Sequence, residues 1–122
     1  MALILHLEKR KMPEKTKQIF SAAERGEHEI YIPSMVMAEI GYLAEKGRIE
    51  TNLAEVEQKL GSYINFIEVP MGLAIVKAGF QIDDIPELHD RLIAGTAKAM
   101  SLEITSNDPA MEQSTHVTTI WK

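Results

Sequence analysis

Short β-prone runs alternate along this chain with longer segments of helical spacing, and that alternation limits the possible folds more than any other feature. "HEIYIP" places Ile30 and Ile32 in alternation up to Pro33, and Ser34 then stands as an N-cap for "MVMAEIGYLAEKGRI". In that helix Met35, Ala38, Tyr42 and Leu43 fall at helical spacing, and Gly47 offers a stop. "TNLAEVEQKLGSYI" opens on a cap-like Thr51 or Asn52, so the two helices are expected as a hairpin. "NFIEVP" reads as the next strand, "MGLAIVKAGFQI" as a helix, and "PELHDRLIAGTAKAMS" as a longer helix with Leu88, Leu92, Ala99 and Met100 among its apolar positions. "LEITSND" and "HVTTIW" follow, both rich in β-branched residues. Strands alternating with helices predict a parallel α/β sheet with right-handed crossovers.

Ahead of these, Pro13 suits the first turn of a helix over "EKTKQIFSAAERGE", with Ile19, Ala22 and Ala23 on one face and Gly26 as its stop. The opening residues Ala2 to Lys11 fit either a strand or a helix. No repeat, linker or low-complexity tract divides the 122 residues, and a single domain over 1–122 is expected.

A formal charge of -5 argues against a protein that grips nucleic acid through a large positive field, so any such work rests on local chemistry. The absence of cysteine excludes disulfides, thiolate metal sites and cysteine nucleophiles. No apolar run approaches the roughly 20 residues of a membrane span. A cytoplasmic protein without membrane attachment is expected.

Ligands of open parallel α/β sheets bind beyond the carboxyl ends of the strands, so acids in those places are informative. Glu39 lies early in the helix after "EIYIP", Asp90 early in the helix before "LEITS", and Asp108 directly after "EITSN". Several ionised carboxylates held together call for a hard divalent cation, for which oxygen ligands suit Mg²⁺ or Mn²⁺. For any one of them taken alone, solvated surface or ordinary capping is the commoner explanation. Asp83 and Asp84, just before Pro86, read as caps of the next helix ahead of a role assisting a metal site, and His89, the best-placed histidine for proton transfer or substrate contact, as a packing or hydrogen-bonding residue first. His6, His28 and His116 have no partner at metal-ligand spacing in the sequence. Arg91 suits a phosphate or a nearby acid, the basic group Lys9, Arg10, Lys11, Lys15 and Lys17 a solvated helix face, and Trp121 a packing role.

Two segments carry a family resemblance. "YIPSMVMAEIGYLAEKGRI" resembles the second motif of PIN domains, and "LHDRLIAGTAKAMSLEITSND" resembles their third and fourth motifs joined. The likeness is to the VapC-like ribonuclease toxins, in the right order over nearly the whole chain. It implies a three-layer α/β/α fold with a parallel sheet, and acidic-site roles for Glu39, Asp90 and Asp108. Ser106 stands at the family's hydroxyl position in place of the commoner Thr, with Asn107 as spacer. It further implies an endoribonuclease that uses Mg²⁺ or Mn²⁺ to hydrolyse RNA phosphodiester bonds, often as a homodimer inhibited by a small antitoxin.

One departure stands at the front. "ALILHLEKRK" resembles the helix that follows the family's first strand, and neither that strand nor its terminal Asp has a counterpart before it. A fold lacking the usual first strand is therefore expected. A rival reading follows, a catalytically silent PIN-like module that binds RNA or a protein. A phosphoacceptor receiver domain is a third reading, but Asp83 and Asp84 do not sit where its acidic pair belongs.

Overall fold

The computed structural model describes residues 11–122, arranged as two compact units: one runs to Val69 and takes in Lys122, the other spans Pro70–Trp121. Among the described residues are six helices and four short strands, with every strand pairing parallel.

The first unit opens with α1 (Glu14–Glu24), which buries Thr16, Phe20, Ala22 and Ala23 and gives way at Gly26, whose φ of 80° suits a residue without Cβ. Strand β1 (Ile30–Pro33) passes directly into α2 (Ser34–Glu45). Helix α3 (Leu53–Ser62) then leads to β2 (Phe66–Val69). Strands β1 and β2 are in parallel register, Ile30 opposite Phe66 and Pro33 opposite Val69, with Ile32, Phe66 and Val69 buried. Asn52 caps α3, its Oδ1 accepting the Glu55 N–H at 3.0 Å. Lys59 packs its stem beside aromatic rings, with Nζ 4.8 Å from the Tyr63 ring centroid and 2.6 Å from Glu24 Oε2.

Two sequence expectations fail in this unit. Ser34 is the first residue of α2 rather than its cap, and its hydroxyl donates to the Val69 carbonyl at 3.2 Å, tying the helix start to the end of β2. The buried face of α2 is Val36 and Ile40, whereas Tyr42 is 57% exposed. Both sets of residues satisfy helical spacing, so periodicity does not choose between them.

In the second unit α4 (Leu73–Gln81) packs on α5 (Leu88–Met100). Gly79 and Gly95 permit a close approach: a Cβ at Gly95 would stand 2.7 Å from the Gly79 backbone. The buried residues of α5 are Leu92, Ala94, Gly95, Thr96 and Ala97, so Leu88 and Met100 lie off its packed face. Strand β3 (Ile104–Thr105) leads into the one-turn helix α6 (Pro109–Glu112), and β4 (Thr119–Ile120) returns parallel to β3. Ile82, Ile85, Ala94, Ala97, Ile104 and Met111 form the core of this unit.

The parallel α/β class agrees with the sequence reading. Where one sheet is expected, the described residues form two parallel pairs, one in each unit. The opening segment, on which the reading of an absent first strand and first Asp depends, lies outside the described residues. Among the described residues no helix is long and apolar enough to cross a membrane.

Candidate metal centre

Asp90 and Asp108 both lie in the second unit, each held by a short piece of local structure. Glu87 is the N-cap of α5, its Oε2 accepting the Asp90 N–H at 2.7 Å, which fixes Asp90 at the third helical position. Asp108 follows β3 and caps α6, its Oδ1 accepting the Ala110 N–H at 2.8 Å. The Asp108 N–H in turn donates to Ser106 Oγ at 3.0 Å, so the hydroxyl at position 106 holds the backbone of the acid two residues on. Asn107 between them is exposed.

Burial raises the Asp90 carboxyl above the usual carboxylate range, and the negative charges of Asp108 and then Glu87 raise it further. The Asp90 N–H, with His89 assisting, holds Glu87 below that range. Two carboxylates, Asp108 and Glu87, therefore act on Asp90, and both also serve as helix caps. Glu39 lies half-buried on α2 in the first unit, beside the fully buried Ile40.

Asp83, Asp84 and His116 make a second group of potential ligand atoms, all within 4.8 Å of one another. Its hydrogen bonds explain it without an ion. Asp84 accepts from Ser114 Oγ at 2.7 Å, from the Thr115 N–H at 2.7 Å and from Thr115 Oγ1 at 3.1 Å. His116 Nε2 lies 3.0 Å from Asp83 Oδ1, while Lys98 Nζ lies 2.7 Å from Nδ1 and places a positive charge against the ring. The expectation that Asp83 and Asp84 cap the next helix fails, since Glu87 does so. His116 does have close polar partners, 18 and 33 residues away in sequence, which spacing does not reveal. Arg91 donates from Nε to the Ile85 carbonyl at 2.9 Å and lies 5.7 Å from the Phe80 ring centroid, so it serves the turn before α5.

Sequence reasoning missed Glu87. The signal was present as an acid three residues ahead of Asp90, the spacing of a side chain that caps a helix at its third N–H.

The model of the PIN domain family matches residues 2–115. The chain belongs to the PIN domain family. Among solved structures it is similar to a chain in the crystal structure of VapBC2 from Rickettsia felis bound to a DNA fragment from their promoter. That likeness has a TM-score of 0.73 and 16% identity, over 99% of this chain and 94% of the other, and is one of fold. No curated protein sequence matches the chain. Divalent metal ions are in general use among PIN domains, and the oxygen donors of Asp90 and Asp108 are of the kind such ions take.

Proposed function

We propose that this PIN domain is a Mg²⁺- or Mn²⁺-dependent endoribonuclease of the VapC toxin type, with Glu39, Asp90 and Asp108 as its metal-holding carboxylates. The reading is supported by the placement of both Asp90 and Asp108 in the second unit and by the charge of Asp108, which raises the Asp90 carboxyl. Two like charges held together in a partly buried place cost stability, and a divalent cation between carboxylates turns that repulsion into attraction. Glu39 joins the set on the family resemblance alone.

When bound, the cation supplies charge stabilisation at a phosphoryl oxygen and lowers the pKa of a water. The chain's own part is positioning. Glu87 and Ser106 each engage a backbone N–H, at Asp90 and Asp108 respectively, so both acids sit on fixed backbone. Asn107 is the exposed spacer between Ser106 and Asp108.

The VapBC2 likeness supports a small antitoxin protein as partner, and a homodimer acting in the cytoplasm is proposed on the family resemblance alone. The test is cleavage of a labelled single-stranded RNA with Mn²⁺ or Mg²⁺, with EDTA, and with Asp90→Asn and Asp108→Asn. Cleavage that needs the metal and falls at least a hundredfold in both variants supports the reading. Variants that cut as fast as the parent mean that these acids do not form the site. A parent that binds RNA without cutting it favours the silent module.

A further inference from the structure

We infer that Phe80 and Arg91 form a stacking platform for a base of single-stranded RNA, with Lys77 and the Arg91 guanidinium taking the phosphates beside it. The inference rests on the reading of RNA as substrate and adds to the cleaving acids the residues that hold the strand.

Helix α4 has two faces of different chemistry. Ile75, Ala78 and Gly79 are buried, and α4 packs on α5. Leu73, Lys77 and Phe80 fall at i, i+4 and i+7, the spacing of one helix face, and all three are exposed. Of the chain's three phenylalanines, Phe20 and Phe66 are buried, whereas Phe80 is 61% exposed. No acid lies on α4.

The cations beside the ring are uncommitted. Arg91 Cζ lies 5.7 Å from the Phe80 ring centroid, within cation–π range. Its Nε donates to the Ile85 carbonyl at 2.9 Å, which fixes the guanidinium. Among the described residues neither Arg91 nor Lys77 has a carboxylate partner, although the chain holds 18 acids and a net charge of -5. Asp83 and Asp84, just beyond α4, are turned to His116, Ser114 and Thr115.

An exposed ring flanked by unpaired cations suits a single strand of nucleic acid: a base stacks on the ring or the planar guanidinium, and phosphates meet the positive charges. A docked protein helix would prefer apolar surface continuous from Leu73 to Phe80, and the charge of Lys77 interrupts it. Arg91 also follows Asp90 directly on α5, so a strand seated on the guanidinium can reach the acid proposed to hold metal.

Fluorescence anisotropy of a short labelled single-stranded RNA, titrated with the full chain in EDTA so that nothing is cut, tests the platform. Phe80→Ala and Phe80→Leu are each expected to weaken binding about tenfold, as for the loss of one stacked base, and Phe80→Tyr to stay within about twofold of the parent. Lys77→Gln is expected to lower the slope of log affinity against log salt by about 0.7, the value for one phosphate contact on a single strand. Parent-like binding by Phe80→Ala or by Phe80→Leu overturns the platform, and if that variant still cuts RNA with Mn²⁺ the nuclease reading stands. A parent dimer that dissociates in Phe80→Ala at unchanged RNA affinity assigns the face to a second copy and overturns the platform too. Phe80-dependent binding by a parent that never cuts RNA supports the platform and overturns the nuclease.

Discussion

Lys98 Nζ lies 2.7 Å from His116 Nδ1, on the side of the ring opposite the Nε2 that faces Asp83 Oδ1 at 3.0 Å. An ammonium has only protons to offer, so Nδ1 accepts and Nε2 carries the hydrogen toward Asp83. Long-range ¹⁵N–¹H spectra of the imidazole at neutral pH are expected to show the Nε2–H tautomer. A dominant Nδ1–H form contradicts the arrangement.

Asp84 gives a prediction for acid stability. Its carboxyl is held below the usual range first by the Thr115 backbone N–H and then by the Ser114 hydroxyl. A carboxyl lowered on folding contributes stability that is fully present above its unfolded value and is lost as pH falls through the folded one. The parent is therefore expected to lose melting temperature more steeply than Asp84→Asn as pH drops below the ordinary carboxylate range. At neutral pH the variant is the less stable of the two. Parallel curves over the whole range contradict this role for Asp84.

Asp90 has the opposite sign. Its carboxyl is raised by burial, Asp108 and Glu87, so its contribution is most favourable below the unfolded value and is lost as pH rises through the folded one. At neutral pH without metal, Asp90→Asn is expected to melt above the parent, a stability gain at the expense of function. A drop in melting temperature shows that some other contact of Asp90 outweighs the repulsion.

The contact between α4 and α5 depends on Gly95. A Cβ there meets backbone atoms of Gly79 at 2.7 Å, and backbone cannot swing aside as a side chain can. Gly95→Ala is expected to cost about 1–3 kcal/mol through overpacking, despite the better helix propensity of Ala. Urea unfolding followed by circular dichroism measures it, and an unchanged midpoint contradicts the close approach.

These cases show what was legible in the residues. The strand and helix order was readable because "EIYIP" and "FIEV" are β-prone runs ended by proline or preceded by a turn, and because Gly26 and Gly47 stop their helices with φ of 80° and 69°. What was not readable depends on partners far along the chain. Ser34 fits a cap in every local respect, yet its hydroxyl is taken by Val69, 35 residues on. Asp84 fits a cap too, but is drawn to Ser114 and Thr115 on the segment after α6. At the site, Asp90 and Asp108 were found through motif likeness. The charge of Asp108 on Asp90 links residues 18 apart and appears only in the fold.

Melting of the metal-free protein, followed by addition of millimolar Mn²⁺, tests most directly whether Asp90 and Asp108 hold a cation, because a ligand bound only by the folded state raises stability with its occupancy. The parent is expected to rise by several degrees, with the rise abolished in both Asp90→Asn and Asp108→Asn. No rise in the parent, or an equal rise in all three proteins, contradicts the metal centre.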